Sequence, residues 1–376
     1  MNEVNKIAQK CIGDELPFCL YKFCMKNCEF LKSLCANPRE LAKKFKAGYF
    51  KENPKAPYSC NVCDLCQTLC PQGLNVGIMC MEIRRQMVEE GLGPLPSHRL
   101  VRRDQDFVTS DAFALTQPVS KLNKCKYAFF PGCSLSGYSP ELVAKTHEYL
   151  VGKLPGTGII LGCCGGPTHF LGDQSRFDEI QNTVENEMKR LGASELLVAC
   201  PDCYHTIKHN SPDIKLRSIY EVMAEQGLPE SAKTTTGKKF SLHDSCKTRW
   251  EKNWQDSVRT LTAEMGHEIE EMEYSREKTR CCGMGGMVPY ADLNLAGKIT
   301  KKRADEASYD LLTYCAGCRE AFAFLKPSIH ILDLIFNSDW EKNKSEAPKT
   351  GKARRENQTR LKALILEKFS GKQPKE

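Results

Sequence analysis

The stretch YAFFPGC, residues 127–133, joins a short apolar run to a Pro-Gly turn and a cysteine. Four apolar residues bounded by a turn are typical of a buried β-strand. Two later apolar runs, GIIL at 158–161 and ELLVA at 195–199, also lead into cysteines. Amphipathic patterns at 141–150 and 173–191 lie between the three runs and predict helices. This alternation predicts a parallel sheet covered by helices.

The same order recurs between residues 240 and 314. Strands are predicted at 240–242, 268–272 and 309–314, and helices at 256–265 and 293–307. Corresponding cysteines of the two repeats are 113 to 118 residues apart. The first set is Cys133, Cys163, Cys164, Cys200 and Cys203, and the second is Cys246, Cys281, Cys282, Cys315 and Cys318. Because ligands gather beyond the carboxyl ends of parallel strands, each repeat is expected to bring five thiols together.

The composition is that of a globular protein. The 376 residues are 41% apolar and 27% charged, which is too apolar for a disordered chain and long enough for two or three domains. No run approaches the ~20 apolar residues of a membrane-spanning helix, and the first residues lack the features of a secretory signal. We therefore expect a cytoplasmic protein, or one that docks peripherally on a membrane partner.

The net charge of +7 is concentrated near the C-terminal end, where residues 341–376 carry +6. No basic stripe interleaved with aromatic residues runs along the remainder, so nucleic acid is not an expected partner. Within this basic tail, a predicted helix has one apolar stripe, formed by Leu361, Leu364, Ile365 and Phe369. We expect this helix to dock on a partner subunit, and the alternative is that it folds back onto its own domain.

The chain holds 21 cysteines. The cytosolic thiol pool would reduce disulfides, so cysteines grouped as CxxC indicate metal or redox chemistry. The clearest group is Cys60-x2-Cys63-x2-Cys66-x3-Cys70-Pro71, which has the spacing of a bacterial ferredoxin. In that motif three thiolates hold a [4Fe–4S] cubane and the fourth cysteine ligates a second cluster. A zinc knuckle is the alternative.

A second cubane would use an irregular group of upstream cysteines. Exchange of the fourth ligands between two clusters predicts two ligand sets. The first is Cys60, Cys63, Cys66 and Cys28, and the second is Cys11, Cys19, Cys24 and Cys70, which leaves Cys35 spare. Alternatively, Cys24, Cys28 and Cys35 lie on one face of a helix and are small buried hydrophobic residues.

Each repeat offers one thiol more than a cubane needs. The fifth is either a free sulfur beside the cluster or a ligand of an opened cluster, and the glycines after each Cys-Cys pair let backbone or substrate approach. A zinc site with four cysteine ligands and a spare thiol is the alternative. His205 and His243 are expected to hydrogen-bond a cluster sulfur or donate a proton, whereas Cys80 and Cys125 are expected to be unligated.

These motifs resemble those of a known family. The twice-repeated pattern Cys-xn-Cys-Cys-Gly-xn-Cys-x-x-Cys is similar to the CCG cysteine-rich domain of heterodisulfide reductases and related oxidoreductases. FPGC (130–133), HDSCKTR (243–249) and CCGMGG (281–286) match as well, and the N-terminal block resembles the ferredoxin module of the same enzymes. About 330 residues resemble the D subunits of heterodisulfide reductases. The resemblance implies two ferredoxin-type cubanes and a disulfide-reducing site built from noncubane [4Fe–4S] clusters in the two repeats.

We therefore predict a multidomain protein of the α+β and α/β classes. A small helical ferredoxin-type [4Fe–4S] domain is followed by two pseudo-repeated parallel α/β CCG domains. The predicted segments are residues 1–118, 125–235, 236–340 and the basic tail, 341–376. The predicted function is an iron–sulfur oxidoreductase that reduces a disulfide at paired noncubane clusters fed by cubanes.

The rival prediction is an electron-transfer subunit of a flavin-dependent 2-hydroxyacid or glycerol-phosphate dehydrogenase, because CCG modules also resemble the iron–sulfur subunits of those enzymes. No GxGxxG follows a predicted strand, so any flavin would belong to another chain. The expected partners are a small-molecule disulfide or thiol, and a subunit that donates or accepts electrons. That subunit is expected to be a haem b membrane protein, a hydrogenase or a flavoprotein.

Overall fold

We describe the protein through a computed structural model. The described residues are 2–11, 23–119, 124–232 and 237–369. The predicted ligand Cys19 lies outside them. Within this part of the chain, no helix combines the length and apolarity that crossing a membrane requires.

The chain forms two compact units, and each is assembled from stretches that are distant in sequence. Unit 1 comprises Met1–Arg102, Pro167–Phe177 and Glu273–Glu306, and unit 2 comprises Arg103–Gly166, Asp178–Met272 and Ala307–Glu376. The sequence predicted consecutive segments instead, and their boundaries stay a prediction.

The first repeat and a short strand that precedes it build one sheet of unit 2. Its strands are β1 (Leu115–Gln117), β2 (Tyr127–Phe130), β3 (Thr157–Leu161), β4 (Glu195–Val198) and β5 (Leu216–Ser218), in the order β1-β3-β2-β4-β5. Ala128 on β2 pairs in parallel with Gly158 on β3 and with Leu196 on β4. The three predicted strands are therefore confirmed, and their continuous apolar runs fit strands that are covered on both faces.

The second repeat builds another sheet in the same unit. Its strands are β6 (Lys239–His243), β7 (Glu268–Glu271), β8 (Asp310–Thr313) and β9 (Ser328–His330), in the order β7-β6-β8-β9. All of these pairings are parallel. Side chains from both sheets, including Phe129, Leu197, Leu242 and Leu312, belong to one buried core. The predicted fold class of two repeated α/β units is thus confirmed for the CCG repeats.

Helices connect these strands, and those that the sequence predicts at 141–150, 173–191, 256–265 and 293–307 are present. In chain order after β2 they are Cys133–Tyr138, Pro140–Lys153, Gly166–Leu171, Gln174–Leu191, Pro201–Asn210, Ile219–Gln226, Lys252–Glu264, Val288–Ala291, Leu293–Asp305, Ala316–Phe322, Ile331–Phe336, Trp340–Asn343 and Gly351–Phe369. Polar side chains cap several of them. Ser139 accepts a hydrogen bond from the Leu142 N–H, and Ser218 forms a capping box with Glu221.

Unit 1 is helical in its N-terminal part. The helices there are Asn2–Lys10, Phe23–Asn27, Glu29–Leu34, Pro38–Lys46, Tyr49–Glu52, Lys55–Tyr58, Leu65–Leu69, Val76–Glu89 and Arg99–Thr109, and the last of these continues into unit 2. Asn37 and Asn75 cap two of these helices with side-chain oxygens. The core of the unit is apolar and includes the fully buried Phe30, Phe45 and Ile83.

Residues 94–119 contain a helix and a strand of their own. These are the amphipathic helix Arg99–Thr109 and the edge strand β1, which runs antiparallel to β3. The side chains of Val108 and Phe113 are buried in the core of unit 2. The sequence does not predict this strand, because its three residues are only half-buried and carry no alternating pattern.

The basic tail does not present a free apolar stripe. The helix Gly351–Phe369 packs against the helices Cys133–Tyr138 and Pro140–Lys153 of the same unit. Leu361 and Ile365 are fully buried there, and Phe369 packs on the same core. The expectation that the stripe docks on a partner subunit is therefore wrong, and the fold-back alternative is confirmed.

Candidate functional site

The cysteines of the first repeat lie at the carboxyl ends of strands β2, β3 and β4. Cys133 begins the helix after β2, and Cys163 and Cys164 follow β3. Cys200 caps the helix after β4, and Cys203 lies in the first turn of that helix. Parallel strands bring these three points to one edge of the sheet, so the topology alone gathers the five residues.

The five thiols of the first repeat interact in pairs along one chain. Hydrogen bonds link Cys133 to Cys163, Cys163 to Cys164, Cys164 to Cys203, and Cys203 to Cys200. The bonds from Cys163 and Cys203 outweigh burial and lower the pKa of the Cys164 thiol to about 6. Five neighbouring cysteine sulfurs are the donor chemistry of iron–sulfur or zinc centres.

The backbone around the first site is shaped to admit the thiols. Gly132 has a φ of 78°, and a Cβ at this position would lie 2.8 Å from the Cys203 Sγ. The N–H of Gly165 donates to the Cys163 Sγ over 3.4 Å, and the Gln105 amide donates to the same sulfur over 3.5 Å. Such donors stabilise a charged sulfur and orient it.

The basic tail contributes to the surroundings of the first site. Gln358 donates from Nε2 to the carbonyl oxygen of Cys133 over 2.9 Å. The hydrogen bond to Cys163 and burial raise the pKa of the Cys133 thiol. The positive charge of Arg354, one turn earlier on the same helix, opposes this rise. Glu320 forms an ion pair with Arg354. The tail is thus part of the wall of this site.

The cysteines of the second repeat are divided between the two units. Cys246 follows β6, whereas Cys315 and Cys318 begin the helix after β8, all in unit 2. Cys281 and Cys282 lie in unit 1. A five-thiol array for this repeat therefore stays a prediction.

The unit 2 part of the second repeat is held by a buried polar network. The Tyr314 hydroxyl contacts Asp244 at 3.1 Å and Thr248 at 2.7 Å, and it accepts from the Ser245 N–H. Arg259 forms an ion pair with Asp244. These bonds fix the loop that carries Cys246.

The two Cys-Cys-Gly loops share hydrogen bonds and a glycine conformation in addition to their cysteines. In the first, Gln181 donates to the carbonyl oxygen of Cys164, and in the second, the Thr300 hydroxyl donates to that of Cys282 over 2.8 Å. Gly165 and Gly283 have φ values of 77° and 95°. Each loop therefore uses a left-handed glycine and a helix side chain to turn its second cysteine.

In unit 1 the ferredoxin-type run lines a cavity. Its walls include Cys24, Cys28, Cys60, Cys63 and Cys66. Burial, followed by the charges of neighbouring cysteines, raises the pKa of the Cys28 and Cys66 thiols well above the usual value. Four of these five residues are the ligand set that the sequence predicts for the first cubane.

The loop that carries this run is tightly wound. Val62 and Asp64 have φ values of 49° and 60°, a left-handed conformation that residues other than glycine adopt at a cost. The N–H of Val62 donates to the Cys60 Sγ over 3.4 Å. Backbone N–H groups that turn toward a sulfur in this way are suited to a thiolate-bound cluster.

The remaining upstream cysteines of the described residues are Cys11, Cys35 and Cys70. Burial is the main cause that raises the pKa of the Cys35 thiol, which the sequence left spare, to about 11, and the charges of Glu40 and Cys11 add to this rise. Cys70 ends the helix Leu65–Leu69 and is half-buried. The second cubane set stays a prediction, since Cys19 lies outside the described residues.

The other predicted residues have distinct surroundings. The His205 ring lies 4.3 Å from the exposed His209 ring. The His243 ring is buried against Phe322 and lies within 4.8 Å of the Cys318 Sγ. His243 therefore lies close to a cysteine of the second repeat, and the roles of His243 and His205 both stay predictions.

Cys80 and Cys125 also differ from each other. Cys80 is buried and hydrogen-bonds Cys60. Cys125 is buried under the first sheet, close to Gly158. Cys80 thus interacts with the ferredoxin-type run through Cys60, although the sequence treated it as isolated.

Two residues that the sequence did not single out join the loops of unit 1. Asn61 donates from Nδ2 to the carbonyl oxygens of Gly283 and Gly285. Arg84 is fully buried and donates to the carbonyl oxygen of Cys60. Neither belongs to a motif, and only their tertiary contacts identify them.

Comparison with protein families identifies the CCG cysteine-rich domain twice, at residues 127–208 and 240–323. Two segments of the chain are therefore similar to the CCG cysteine-rich domain. The matched ranges contain all ten cysteines of the two repeats.

The chain is also similar to curated iron–sulfur oxidoreductases. It is 24% identical over 314 residues to the B subunit of the fumarate reductase (CoM/CoB) of Methanothermobacter marburgensis. This aligned region covers 77% of this chain and 60% of that protein. It is 25% identical over 316 residues to the D subunit of the dihydromethanophenazine:CoB–CoM heterodisulfide reductase of Methanosarcina barkeri. This aligned region covers 74% of this chain and 76% of that protein. The resemblance to D subunits of heterodisulfide reductases is thus confirmed.

A third relative belongs to another kind of complex. The chain is 25% identical over 175 residues to EtfAB:quinone oxidoreductase of Syntrophomonas wolfei, which covers 43% of this chain and 24% of that protein. The chain spans less than two thirds of both the fumarate reductase subunit and this oxidoreductase.

Proposed function

We propose that the protein is an iron–sulfur oxidoreductase that reduces a disulfide of the heterodisulfide type. Its two CCG repeats would hold noncubane [4Fe–4S] clusters, with the ligand sets Cys133, Cys163, Cys164, Cys200, Cys203 and Cys246, Cys281, Cys282, Cys315, Cys318. A ferredoxin-type cubane at Cys28, Cys60, Cys63 and Cys66 would supply electrons. A second cubane at Cys11, Cys19, Cys24 and Cys70 would complete the proposed path of electron transfer.

The observation that carries this proposal is the continuous array of five thiols in the first repeat. A structural zinc site built from cysteines needs four thiolates, and a fifth neighbouring sulfur has no use in it. In the array, Cys164 contacts both Cys163 and Cys203. A site that uses more than four sulfurs favours an opened cluster over zinc.

The reaction consumes two electrons and two protons, since R–S–S–R′ becomes RSH and R′SH. When bound, the clusters supply these electrons one at a time. The chain's own part is to leave space and to hold the sulfurs. Gly165 and Gly166 add no side chain next to Cys164, and a Cβ at Gly166 would lie 3.4 Å from its Sγ. Gln105 and the Gly165 N–H donate to Cys163 and keep that sulfur oriented.

A spectroscopic titration tests this proposal. The full chain is purified anaerobically, oxidised, and titrated with small thiols and disulfides while its electron paramagnetic resonance spectrum is recorded. We expect a thiol to produce a new signal and the protein to contain well over four irons per chain. Zinc in place of iron, or cluster signals that no thiol perturbs, would contradict the proposal.

A second candidate is an electron-transfer subunit that serves a flavoprotein. The similarity to EtfAB:quinone oxidoreductase favours it. In that case the partner is a flavoprotein, and the CCG clusters carry electrons without binding a thiol. Purification of the native complex separates the candidates, since a flavoprotein partner supports this one and a haem b protein or hydrogenase supports the reductase. We propose a cytoplasmic location for either, with peripheral association where the partner is a membrane protein.

A further inference from the structure

Arg84 is a buried cation that binds only neutral partners within the described residues. Its side chain is fully buried on the helix Val76–Glu89. Its guanidinium donates to four main-chain carbonyl oxygens: Pro57 at 2.9 Å, Cys60 at 2.6 Å, Phe170 at 2.7 Å and Gly286 at 3.0 Å. Its planar fork suits several carbonyls at once, which the single ammonium of lysine does not.

No carboxylate of the described residues forms an ion pair with Arg84. The Tyr58 ring lies 5.1 Å from the guanidinium carbon and adds a cation–π contact. Carbonyl dipoles and one ring leave a full positive charge in the core, and a buried charge without a counter-ion is costly. An anion close to Arg84 would remove this cost.

The cysteines of the ferredoxin-type cavity would provide that anion when they hold an iron–sulfur centre. Arg84 bonds the backbone of Cys60, and one helical turn earlier Cys80 hydrogen-bonds the Cys60 thiol. The same helix therefore directs both residues toward Cys60. Four thiolates around a [4Fe–4S] core leave a net negative charge, which increases when the cluster accepts an electron.

We propose that Arg84 is the fixed counter-charge of the centre at Cys28, Cys60, Cys63 and Cys66, and that it raises the reduction potential of that centre. Arg84 is a positioning residue, because it acts on the centre through the backbone of Cys60 and through its charge. This inference rests on the proposed function, which supplies the centre.

Asn61 provides a matched control for the charge. It lies next to Cys60 and donates to the carbonyl oxygens of Gly283, at 2.9 Å, and Gly285, at 3.0 Å. Arg84 bonds the same loop at Gly286. Both side chains therefore hold the loop 281–286 against the ferredoxin-type run, but only Arg84 carries a charge.

The test compares Arg84→Gln, Arg84→Lys and Asn61→Ala in the full chain. Glutamine retains amide donors for the carbonyls and loses the charge, whereas lysine keeps the charge. Iron content and circular dichroism establish assembly, and the reduction potential of the ferredoxin-type centre is followed by electron paramagnetic resonance. We expect Arg84→Gln to make reduction about tenfold less favourable, which is about 59 mV for one electron. Arg84→Lys and Asn61→Ala should stay within a third of that shift.

Each outcome distinguishes the alternatives. An unchanged potential in Arg84→Gln, or an equal shift in Asn61→Ala, overturns the counter-charge. If Arg84→Gln folds without its centre while Arg84→Lys assembles it, the charge is required and the inference stands. Loss of the centre in both Arg84 variants assigns Arg84 to loop structure alone and overturns the inference. Failure of the proposed function is a separate result, because the wild-type protein would then lack the ferredoxin-type signal.

Discussion

Cys164 lies in the middle of the five-thiol array, since it bonds Cys163 on one side and Cys203 on the other. Its replacement should therefore disturb more of the array than the loss of a terminal sulfur. We expect Cys164→Ala to lose the cluster of the first repeat, which is about four irons per chain. Iron analysis and electron paramagnetic resonance of the anaerobic protein check this loss.

Cys125 offers the control for that substitution. It is as buried as Cys164 and lies in the same unit, but it packs beneath the sheet near Gly158. Cys125→Ala should keep the full iron content. Equal iron in the two variants would remove Cys164 from the ligand set.

His147 makes the stability of unit 2 depend on pH. It is buried, contacts the Thr157 carbonyl oxygen through Nε2 at 3.2 Å, and stacks on Phe129. Burial lowers the pKa of His147 from 6.5 to about 4. Between these pH values the unfolded chain binds more protons, so this contribution to stability is complete above pH 6.5 and is lost as the pH falls toward 4. The expected loss is about 1 kcal/mol per pH unit.

Denaturant unfolding at pH 7 and pH 5 measures this slope. His147→Gln removes the titrating group and retains an amide that can donate to Thr157, so its stability should fall less between the two pH values than that of the wild type. The exposed His209→Gln should behave like the wild type. A His147→Gln slope equal to the wild-type slope would exclude His147 as the source.

At the level of elements, the helix Gly351–Phe369 belongs to the core of unit 2. Leu361 is fully buried on it, whereas Leu366 is 42% exposed. Leu361→Ala should lower the free energy of unfolding by about 2–5 kcal/mol, because a buried leucine leaves a cavity. Leu366→Ala should cost less than about 0.5 kcal/mol, which is usual for surface positions.

The two variants share one helix and one type of substitution, so helix propensity cancels in the comparison. Thermal or denaturant unfolding provides the measurement. Similar small costs for both would mean that the helix separates from its unit in solution, and the tail would again be a docking segment.

The elements that the sequence predicted are those with a strong local signal. Strands such as Thr157–Leu161 are continuous apolar runs followed by turns, and their burial requires little tertiary information. The edge strands Leu115–Gln117, Leu216–Ser218 and Ser328–His330 were missed because three residues carry no period. Their strand conformation comes from pairing with a neighbour.

The fate of the tail could not be predicted for a related reason. An apolar stripe on a basic helix states that some surface covers it, and it does not identify that surface. The hydrogen bonds from Asn357 to Gly137 and from Gln358 to Cys133 supply the answer only in the folded chain.

At the level of the whole molecule, the ferredoxin-type run and the Cys281-Cys282 pair belong to the same unit. Their spacing in the sequence is more than 200 residues, and no motif links them. The cysteine spacings predicted the chemistry of the sites because ligand geometry is local. The residues that join the sites, Asn61 and Arg84, depend on long-range contacts with Gly283 and Gly286 and could not be predicted.

The last prediction concerns the division of labour between the centres. Cys66 lines the ferredoxin-type cavity in unit 1, whereas the five-thiol array of the first repeat lies in unit 2. If the ferredoxin-type centre supplies electrons and the CCG sites bind the substrate, Cys66→Ala should impair electron supply and leave thiol binding intact. We expect the variant to lose about four irons and to retain the thiol-induced signal. Its rate of disulfide reduction within the native complex should fall at least about tenfold. This corresponds to an activation free energy that is about 1.4 kcal/mol higher for one electron-transfer step. Turnover at the wild-type rate would show that electrons reach the CCG sites without this centre.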